Sequence, residues 1–555
     1  MKNLLYILIL TLVFSSCSDS FLDTENKNSL DVGSFFKTEN DLLLATNAAY
    51  TPFAHGGMFG LFYLLRMNQL DPYVWLETPK SGFDQMIINT SDFSDPWSTL
   101  YLGLFRTSDI LANIDRLKGI VEQPKLNQYK AQLTGLRGMY YFYLVSWFNA
   151  PIYYDETNVP YNPLVGLKNG TPEQFWNKLE EDLTFAAENL PASWPDSEVG
   201  RLTQGTANAA LGKALLYKHY QYYLRFGKGG TPEAKANITK AKAAFKKVID
   251  SGVYDLVKPL AQTKEDYQAA LLSNYSYLPV PTMNAAGVAG TTFYPAENNK
   301  ESVWEIQYND DNRAAAGWLP GWQWGGNLNY AYMSPLGYRN LEIDPTLWYE
   351  YETVGAPAGY DRDPRAYATC YLDGDYLDWR PESGYNRGFQ SARDAKEIVF
   401  QNKLYIGPVP SVALGLKKYN FPQFVGKSSP NSAPFNVRVI RYADVLLMYA
   451  EACYQVDHDA DGSGLAALNR VRDRAGMPAV VALSTSAIVH ERAVELSTEG
   501  HRYNDIVRWM WDPNFGMDLA KLFNNTFNKD KNYCFPIPQA DIDANKGALK
   551  QNPGW

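Results

Sequence analysis

Apolar residues recur at three- and four-residue steps over two separated stretches of the chain. In the first stretch, about Leu42 to Leu256, Leu133, Leu136, Tyr140, Leu144 and Trp147 form one apolar stripe on a helix. Segments beginning near Trp97, Pro172 and Thr206 carry similar stripes. Thr171 and Gln174 have capping-box spacing around Pro172, which suits a first helical position. The second stretch, Arg441 to Trp511, puts Tyr442, Leu446, Tyr449 and Cys453 on one face, and then Leu465, Leu468 and Val471 on the next helix. One pair fits the tetratricopeptide pattern. Leu211-Gly212 and Leu215 take the first helix's places, and Ala241 with Phe245 takes the second's. The insertion from Tyr222 to Asn237 makes this repeat divergent.

Between the helical stretches, Tyr277 to Pro434 loses the helical period and fills with Gly, Pro, Asn and aromatic residues. Short alternating strands are predicted at Ser302 to Tyr308 and Ile398 to Tyr405. Irregular segments this long are usually functional. The expected fold is mostly α. About four tetratricopeptide-like helix pairs form the scaffold, and a loop-rich region with short strands carries the ligand site. The boundaries read as 1–16 signal peptide, 17–40 tether, 41–265 N-terminal helical repeats, 266–435 loop-rich insertion and 436–555 C-terminal helical part and tail, making one globular unit overall.

Composition narrows the ligand. The 555 residues carry a formal net charge of -9, and no run of five or more Lys/Arg appears, so no surplus exists for neutralising phosphates and nucleic acid is excluded as a partner. The 39 Tyr, 26 Phe and 14 Trp are more than the helical stripes account for. The densest cluster is Gly317-Trp318-Leu319-Pro320-Gly321-Trp322-Gln323-Trp324, followed by Tyr330, Tyr332 and Tyr338. Indole faces stack on the C–H faces of sugar rings, which suits an uncharged ligand. Trp318, Trp322, Trp324 and Tyr338 are therefore candidate contacts, with Tyr73 and Trp75 from the earlier run Asp71-Pro72-Tyr73-Val74-Trp75. Asp71, Asp310, Asn312 and Arg313 could hydrogen-bond the hydroxyls. The structural alternative is that the tryptophans plug a small core and that the Asp and Asn residues cap turns.

The N-terminus fixes the compartment. Met1-Lys2-Asn3 precedes a mostly apolar run from Leu4 to Phe14, then Ser15-Ser16-Cys17. A membrane-spanning helix takes about 20 apolar residues, so this shorter run reads as an export signal. Small residues before Cys17 resemble a lipobox, which would make Cys17 the lipidated first residue, and the polar acidic tether of Ser18, Asp19, Asp23 and Glu25 after it resembles a surface-export signal, which would place the protein on the cell surface of the outer membrane. The remaining Cys370, Cys453 and Cys534 are odd in number and lack CxxC spacing, so neither a zinc site nor a disulfide framework is expected.

Two further patterns invite chemistry. Glu491, Glu495 and Glu499 recur at four-residue steps beside His490, a pattern that resembles acid/base machinery, but Arg470, Arg472 and Arg474 offer them ion-pair partners. The position where a zinc protease needs a second His holds Val494, and no Gly-x-Ser-x-Gly elbow appears. A glycoside hydrolase, needing only two carboxylates, stays as an alternative. Asp457, Asp459 and Asp461 before Gly462 match half of a calcium loop. Leu468 stands where the bidentate Glu belongs, so structural calcium is the one cofactor considered and a polar helix-to-helix turn is the alternative.

The C-terminal stretch resembles the SusD/RagB family. The residues that carry the resemblance are Arg441-Tyr442-Ala443-Asp444-Val445-Leu446-Leu447-Met448-Tyr449-Ala450-Glu451-Ala452, Leu468-Asn469-Arg470-Val471-Arg472-Asp473-Arg474-Ala475-Gly476, Glu491-Arg492-Ala493-Val494-Glu495-Leu496, Glu499-Gly500-His501-Arg502-Tyr503-Asn504-Asp505 and Arg508-Trp509. Asp363-Pro364-Arg365, Phe535-Pro536-Ile537-Pro538 and Gln551-Asn552-Pro553-Gly554 add to it. The resemblance implies tetratricopeptide-like pairs in a right-handed superhelix, no catalysis, and delivery of oligosaccharides, or in some branches peptides, to a SusC-like TonB-dependent transporter. It does not assign the contact residues.

Overall fold

The computed structural model describes residues 36–75, 85–160, 166–261, 263–276, 280–283, 289–294, 296–308, 341–371, 414–418 and 436–555. Cys17, Asp310, Asn312, Arg313, Trp318, Trp322, Trp324, Tyr338 and the strand expected at Ile398 to Tyr405 lie outside the described residues, and Trp75 is described by its backbone alone.

Helices α1 (Glu39–Ala54), α2 (Phe62–Gln69), α3 (Ser94–Asn113), α4 (Gln123–Phe148), α5 (Pro172–Asn189), α6 (Gln204–Lys218) and α7 (Pro232–Asp250) form the N-terminal part, with strand β1 (Val74–Trp75) after α2. The Thr171 capping box with Pro172 starts α5 as expected. The stripe on α4 is wider than its periodicity suggests. Every residue from Ala131 to Phe148 is buried, because α1, α3 and α5 all pack against this helix. Tyr140 stacks on Phe53 at 4.3 Å and donates to the Ala49 carbonyl at 2.8 Å. A side chain at Gly103 of α3 would collide with the Tyr140 ring, so the glycine sets how closely α3 and α4 approach.

The tetratricopeptide reading of α6 and α7 has a contact behind it: a Cβ on Gly212 would lie 2.7 Å from the Phe245 ring. The supposed insertion is shorter than Tyr222 to Asn237, because α6 runs on through a π-helical turn at His219–Leu224 and α7 begins at Pro232.

Helix α8 (Lys264–Ser276) opens the loop-rich region. Within it lie the hairpin β2 (Val280–Met283) and β3 (Ala289–Tyr294), then β4 (Ser302–Ile306), β5 (Glu342–Ile343), α9 (Pro345–Glu350), α10 (Pro364–Thr369), β6 (Cys370–Tyr371) and β7 (Leu414–Leu416). Strand β8 (Val437–Arg441) pairs antiparallel with β4 and leads into α11 (Tyr442–Asp457). Then come α12 (Ser463–Arg474), α13 (Thr485–Glu495), α14 (Arg502–Trp509) and the short α15 (Leu519–Leu522) and α16 (Gln539–Ala544). α11 packs on both α7 and α12, so the C-terminal pair continues the stack across the loop-rich region. Four pairs result: α1/α3, α4/α5, α6/α7 and α11/α12. No described helix is long and apolar enough to cross a membrane.

The turn between α11 and α12 uses the three aspartates as caps. Asp459 accepts from the Gly464 and Leu465 amides at 2.7 and 2.8 Å, Asp457 from Ala460, and Asp461 from Ser463 while pairing with Lys242 at 3.2 Å. Such bonds satisfy the free amides of a helix start. Among the described residues, no group of three or more His, Cys, Asp and Glu is placed to hold a metal ion.

Two buried ion networks join the C-terminal helices, and the first also binds the loop-rich region to them. In the first, Glu495 meets Arg441 at 2.6 Å, Arg365 at 3.2 Å and also Arg474, while Arg441 and Arg474 share Glu301. Glu491 pairs with Arg365 and Arg472, and Glu499 with Arg441 and Lys418. Burial disfavours the Glu495 carboxylate, yet Arg474, Arg441 and Arg365 outweigh it and hold its pKa well below the usual range. Arg470 was expected to join them. It turns outward instead, to Asp255 at 3.2 Å and the Tyr442 hydroxyl. In the second network Asp444, Arg492, Asp505, Arg508 and Glu451 link α11, α13 and α14.

His501 lies beside this second network, 3.9 Å from Asp444, and burial pushes its pKa down to about 4. The unfolded chain therefore binds the extra proton first, and this contribution to stability is lost as pH falls from about 6.5 to 4. His55 acts in the same direction, whereas burial raises Asp71 to about 6 and Glu297 to about 7, with the opposite sign. The wild-type profile is thus partly compensated, and the difference between wild type and His501→Gln isolates the histidine. Between pH 7 and 4 that difference should move in the variant's favour by about 3 kcal/mol, read from urea denaturation at each pH.

Candidate functional site

The site begins where β1 leaves α2. Asp71 is 4% exposed, and its Oδ1 accepts the Tyr73 amide at 2.8 Å, which tightens the turn into the strand. Tyr73 donates its hydroxyl to Glu350 Oε1 at 2.8 Å, and the Arg502 guanidinium stands 5.0 Å above its ring. The Tyr73 carbonyl accepts from the Asp344 amide at 2.9 Å, locking β1 to the end of β5. Both residues were expected to meet ligand, but the structure turns them inward. A two-residue strand holds its place only if its approach is pinned, and the polar atoms of Asp71 and Tyr73 serve that purpose. Burial raises the carboxyl of Asp71 to about 6 and pushes the phenol of Tyr73 above its usual value.

Pinned in this way, β1 forms the edge of a four-stranded antiparallel sheet in the order β1-β5-β7-β6. Its register aligns Trp75 with Glu342, Glu342 with Gly415, and Gly415 with Tyr371. These four positions make one transverse row about 14 Å wide at ~4.8 Å per strand. Segment 76–84 leaves the row at Trp75, segment 309–340 enters it just before Glu342, and segment 372–413 leaves it at Tyr371. Tyr338 is joined to Glu342 by no more than about 14 Å of extended chain. The strand that follows the second aromatic run in sequence thus pairs directly with β1, which carries Trp75.

Sequence reasoning missed the charged group under β1. Glu350, Glu352 and His490 are each partly exposed, with His490 Nδ1 3.8 Å from Glu350 and Nε2 3.6 Å from Glu352. The imidazole, with help from the Tyr73 hydroxyl, holds the Glu350 carboxyl below its usual value. The signal was present in the run Trp348-Tyr349-Glu350-Tyr351-Glu352, where carboxylates alternate with aromatics. His490 therefore belongs with these two residues and not with Glu491, Glu495 and Glu499. The side chains of Glu491 and Glu495 are fully buried and that of Glu499 is 12% exposed, and all three are held by Arg or Lys, so they are closed to a substrate. Cys370, Cys453 and Cys534 are buried, and none of them forms a disulfide among the described residues.

Two family models match the chain: residues 300–555 match the SusD family, and residues 20–217 match "Starch-binding associating with outer membrane". A SusD-like protein of Bacteroides ovatus is 23% identical over 525 residues, spanning 92% of this chain and 82% of the relative. Among solved structures, a laminarin-binding SusD-like protein superposes with a TM-score of 0.65 at 22% identity, covering 94% of this chain and all of the other. Surface glycan-binding protein A of Bacteroides thetaiotaomicron, in complex with laminarihexaose, superposes with a TM-score of 0.66 at 21% identity, covering 93% of this chain and all of the other. These likenesses show the shared fold.

Proposed function

We propose that this chain, which belongs to the SusD family, captures oligosaccharides at the outer face of the outer membrane and passes them unaltered to a SusC-like TonB-dependent transporter. The observation that supports this reading is the sheet row Trp75–Glu342–Gly415–Tyr371, in which β1 and the strand that follows the second aromatic run are neighbours. In the proposed site Trp75, Trp318, Trp322, Trp324 and Tyr338 stack on sugar rings, while Asp310 and Arg313 bond the hydroxyls. Asp71 and Tyr73 position Trp75. Ring stacking and hydrogen bonding need no cofactor. The names of the laminarin-binding and laminarihexaose-bound neighbours support a glycan. Glu491, Glu495 and Glu499, whose spacing invites acid/base chemistry, are held inside the ion network, which leaves Glu350 and Glu352 as the partly exposed pair a hydrolase would have to use. The test is affinity electrophoresis of the purified protein through gels carrying plant, fungal and host polysaccharides. Retardation by at least one neutral glycan is expected; no retardation by any, together with saturable binding of peptides, would refute the glycan reading.

Anchoring on Cys17 makes a separate prediction. Cells expressing the wild-type chain should incorporate labelled palmitate into it and retain it in the outer-membrane fraction, where it co-purifies with a TonB-dependent transporter. Several acyl chains at ~0.8 kcal/mol per buried methylene are ample for retention. Cys17→Ser should abolish the label and release the protein.

A further inference from the structure

Away from the loop-bearing sheet, the π-helical turn at the end of α6 meets the C-terminal tail in a surface built from cations and aromatic rings. Lys228 Nζ lies 4.6 Å over the ring of Tyr222, which contacts Phe226 edge-on at 5.8 Å. The Arg225 guanidinium stands 5.0 Å from the Phe226 ring, 3.8 Å from Tyr533 and 5.6 Å from Trp511. Lys529 covers Trp511 at 4.5 Å and Lys531 covers Trp555 at 4.2 Å. Phe226 is 49% exposed. Five rings from four separate places in the sequence therefore form one face.

Charge distinguishes this face from the rest of the molecule. Most cations packed into the fold are neutralised by carboxylates, as in the two buried networks. Arg225, Lys228, Lys529 and Lys531 form no ion pair among the described residues; Arg225 donates to Asn149 at 2.7 Å, Lys228 to the Tyr222 hydroxyl and Lys529 to the Met510 carbonyl. Asp530 is the acidic residue between the two tail lysines, and it too is in no ion pair among the described residues. In a chain of net charge -9, four unneutralised cations held over rings form a local positive field beside exposed apolar edges.

We propose that this face is a second binding site, for an anionic polysaccharide that carries carboxylate or sulfate groups along its backbone. A polyanion neutralises several cations at once, and its sugar C–H faces fit the edges of Phe226 and Trp511. A membrane surface fits less well. The described chain starts near Tyr129, which bonds Glu39, whereas Asn149 marks this face, about 30 Å further along α4. The first described helix, α1, thus starts at the far end of α4 from this face.

The experiment is titration of the full-length purified protein at low salt with polygalacturonate, dextran sulfate, neutral dextran, polyglutamate and anionic phospholipid vesicles. Binding to the first two is expected, weakening as salt rises, with none to dextran. Lys228→Glu with Lys529→Glu should weaken it by at least roughly tenfold, with an unchanged melting temperature. Phe226→Ser should weaken it without altering charge. Trp322→Ala should leave it intact, which separates this site from the proposed loop site. Polyglutamate binding as tight as polygalacturonate, vesicle binding in preference to both, or no effect of the charge reversals would overturn the proposal.

Discussion

Glu495→Ala should destabilise the protein by about 3–5 kcal/mol, or prevent folding at 37 °C, because it leaves Arg365, Arg441 and Arg474 buried around a missing carboxylate. The reason is asymmetric. A complete buried network contributes little against an apolar replacement, whereas removing one partner strands the others. Arg365 comes from α10, Arg441 ends β8 and Arg474 ends α12, so the loss should also loosen the loop-bearing sheet from the helices. Chemical denaturation measures the first effect, and hydrogen exchange at residues 341–371 measures the second. Glu181→Ala, whose carboxylate is 69% exposed beside Lys178, should have little effect.

Trp75→Ala and Trp322→Ala should each weaken glycan binding by about 100-fold, near the 2–3 kcal/mol of a central aromatic contact. The row geometry adds a sharper expectation. If Trp75 and the 309–340 segment clamp one ligand, the double variant should lose less than the sum of the two single losses, because once one ring is gone the ligand no longer sits against the other. Calorimetry of the three variants measures this coupling, and strict additivity would place the two rings at separate sites. Tyr73→Phe removes the bond to Glu350 and should weaken binding only through the poise of β1, by several-fold.

The helices were legible because their apolar spacing is local. Leu133, Leu136, Tyr140, Leu144 and Trp147 show α4, and Thr171 with Pro172 shows the start of α5. That α4 is buried on every side was not legible, since periodicity reports one stripe and not the number of neighbours. The partners of the signature residues were only partly so. Arg472 and Arg474 meet Glu491 and Glu495 from the adjoining helix, but Glu499 takes Arg441 and Lys418 from strand ends far away in sequence, where no spacing rule applies. The pairing of Val74–Trp75 with Glu342–Ile343 was the least legible element of the site. Two-residue strands carry no alternation to read, and their register follows from the contacts of Asp71, Tyr73 and Asp344. The aromatic density that pointed to the loops survives as the motive for the proposed site, whereas Asp71 and Tyr73 are buried and take a supporting role in that proposal.

The central claim is capture without chemistry, and calorimetric titration of the purified protein with a glycan that retards it in the gel, followed by chromatography of the recovered sugar, tests it most directly. The account predicts saturable binding and intact glycan after prolonged incubation. Shortened products that appear with the wild-type protein and vanish with Glu350→Gln or Glu352→Gln would contradict it.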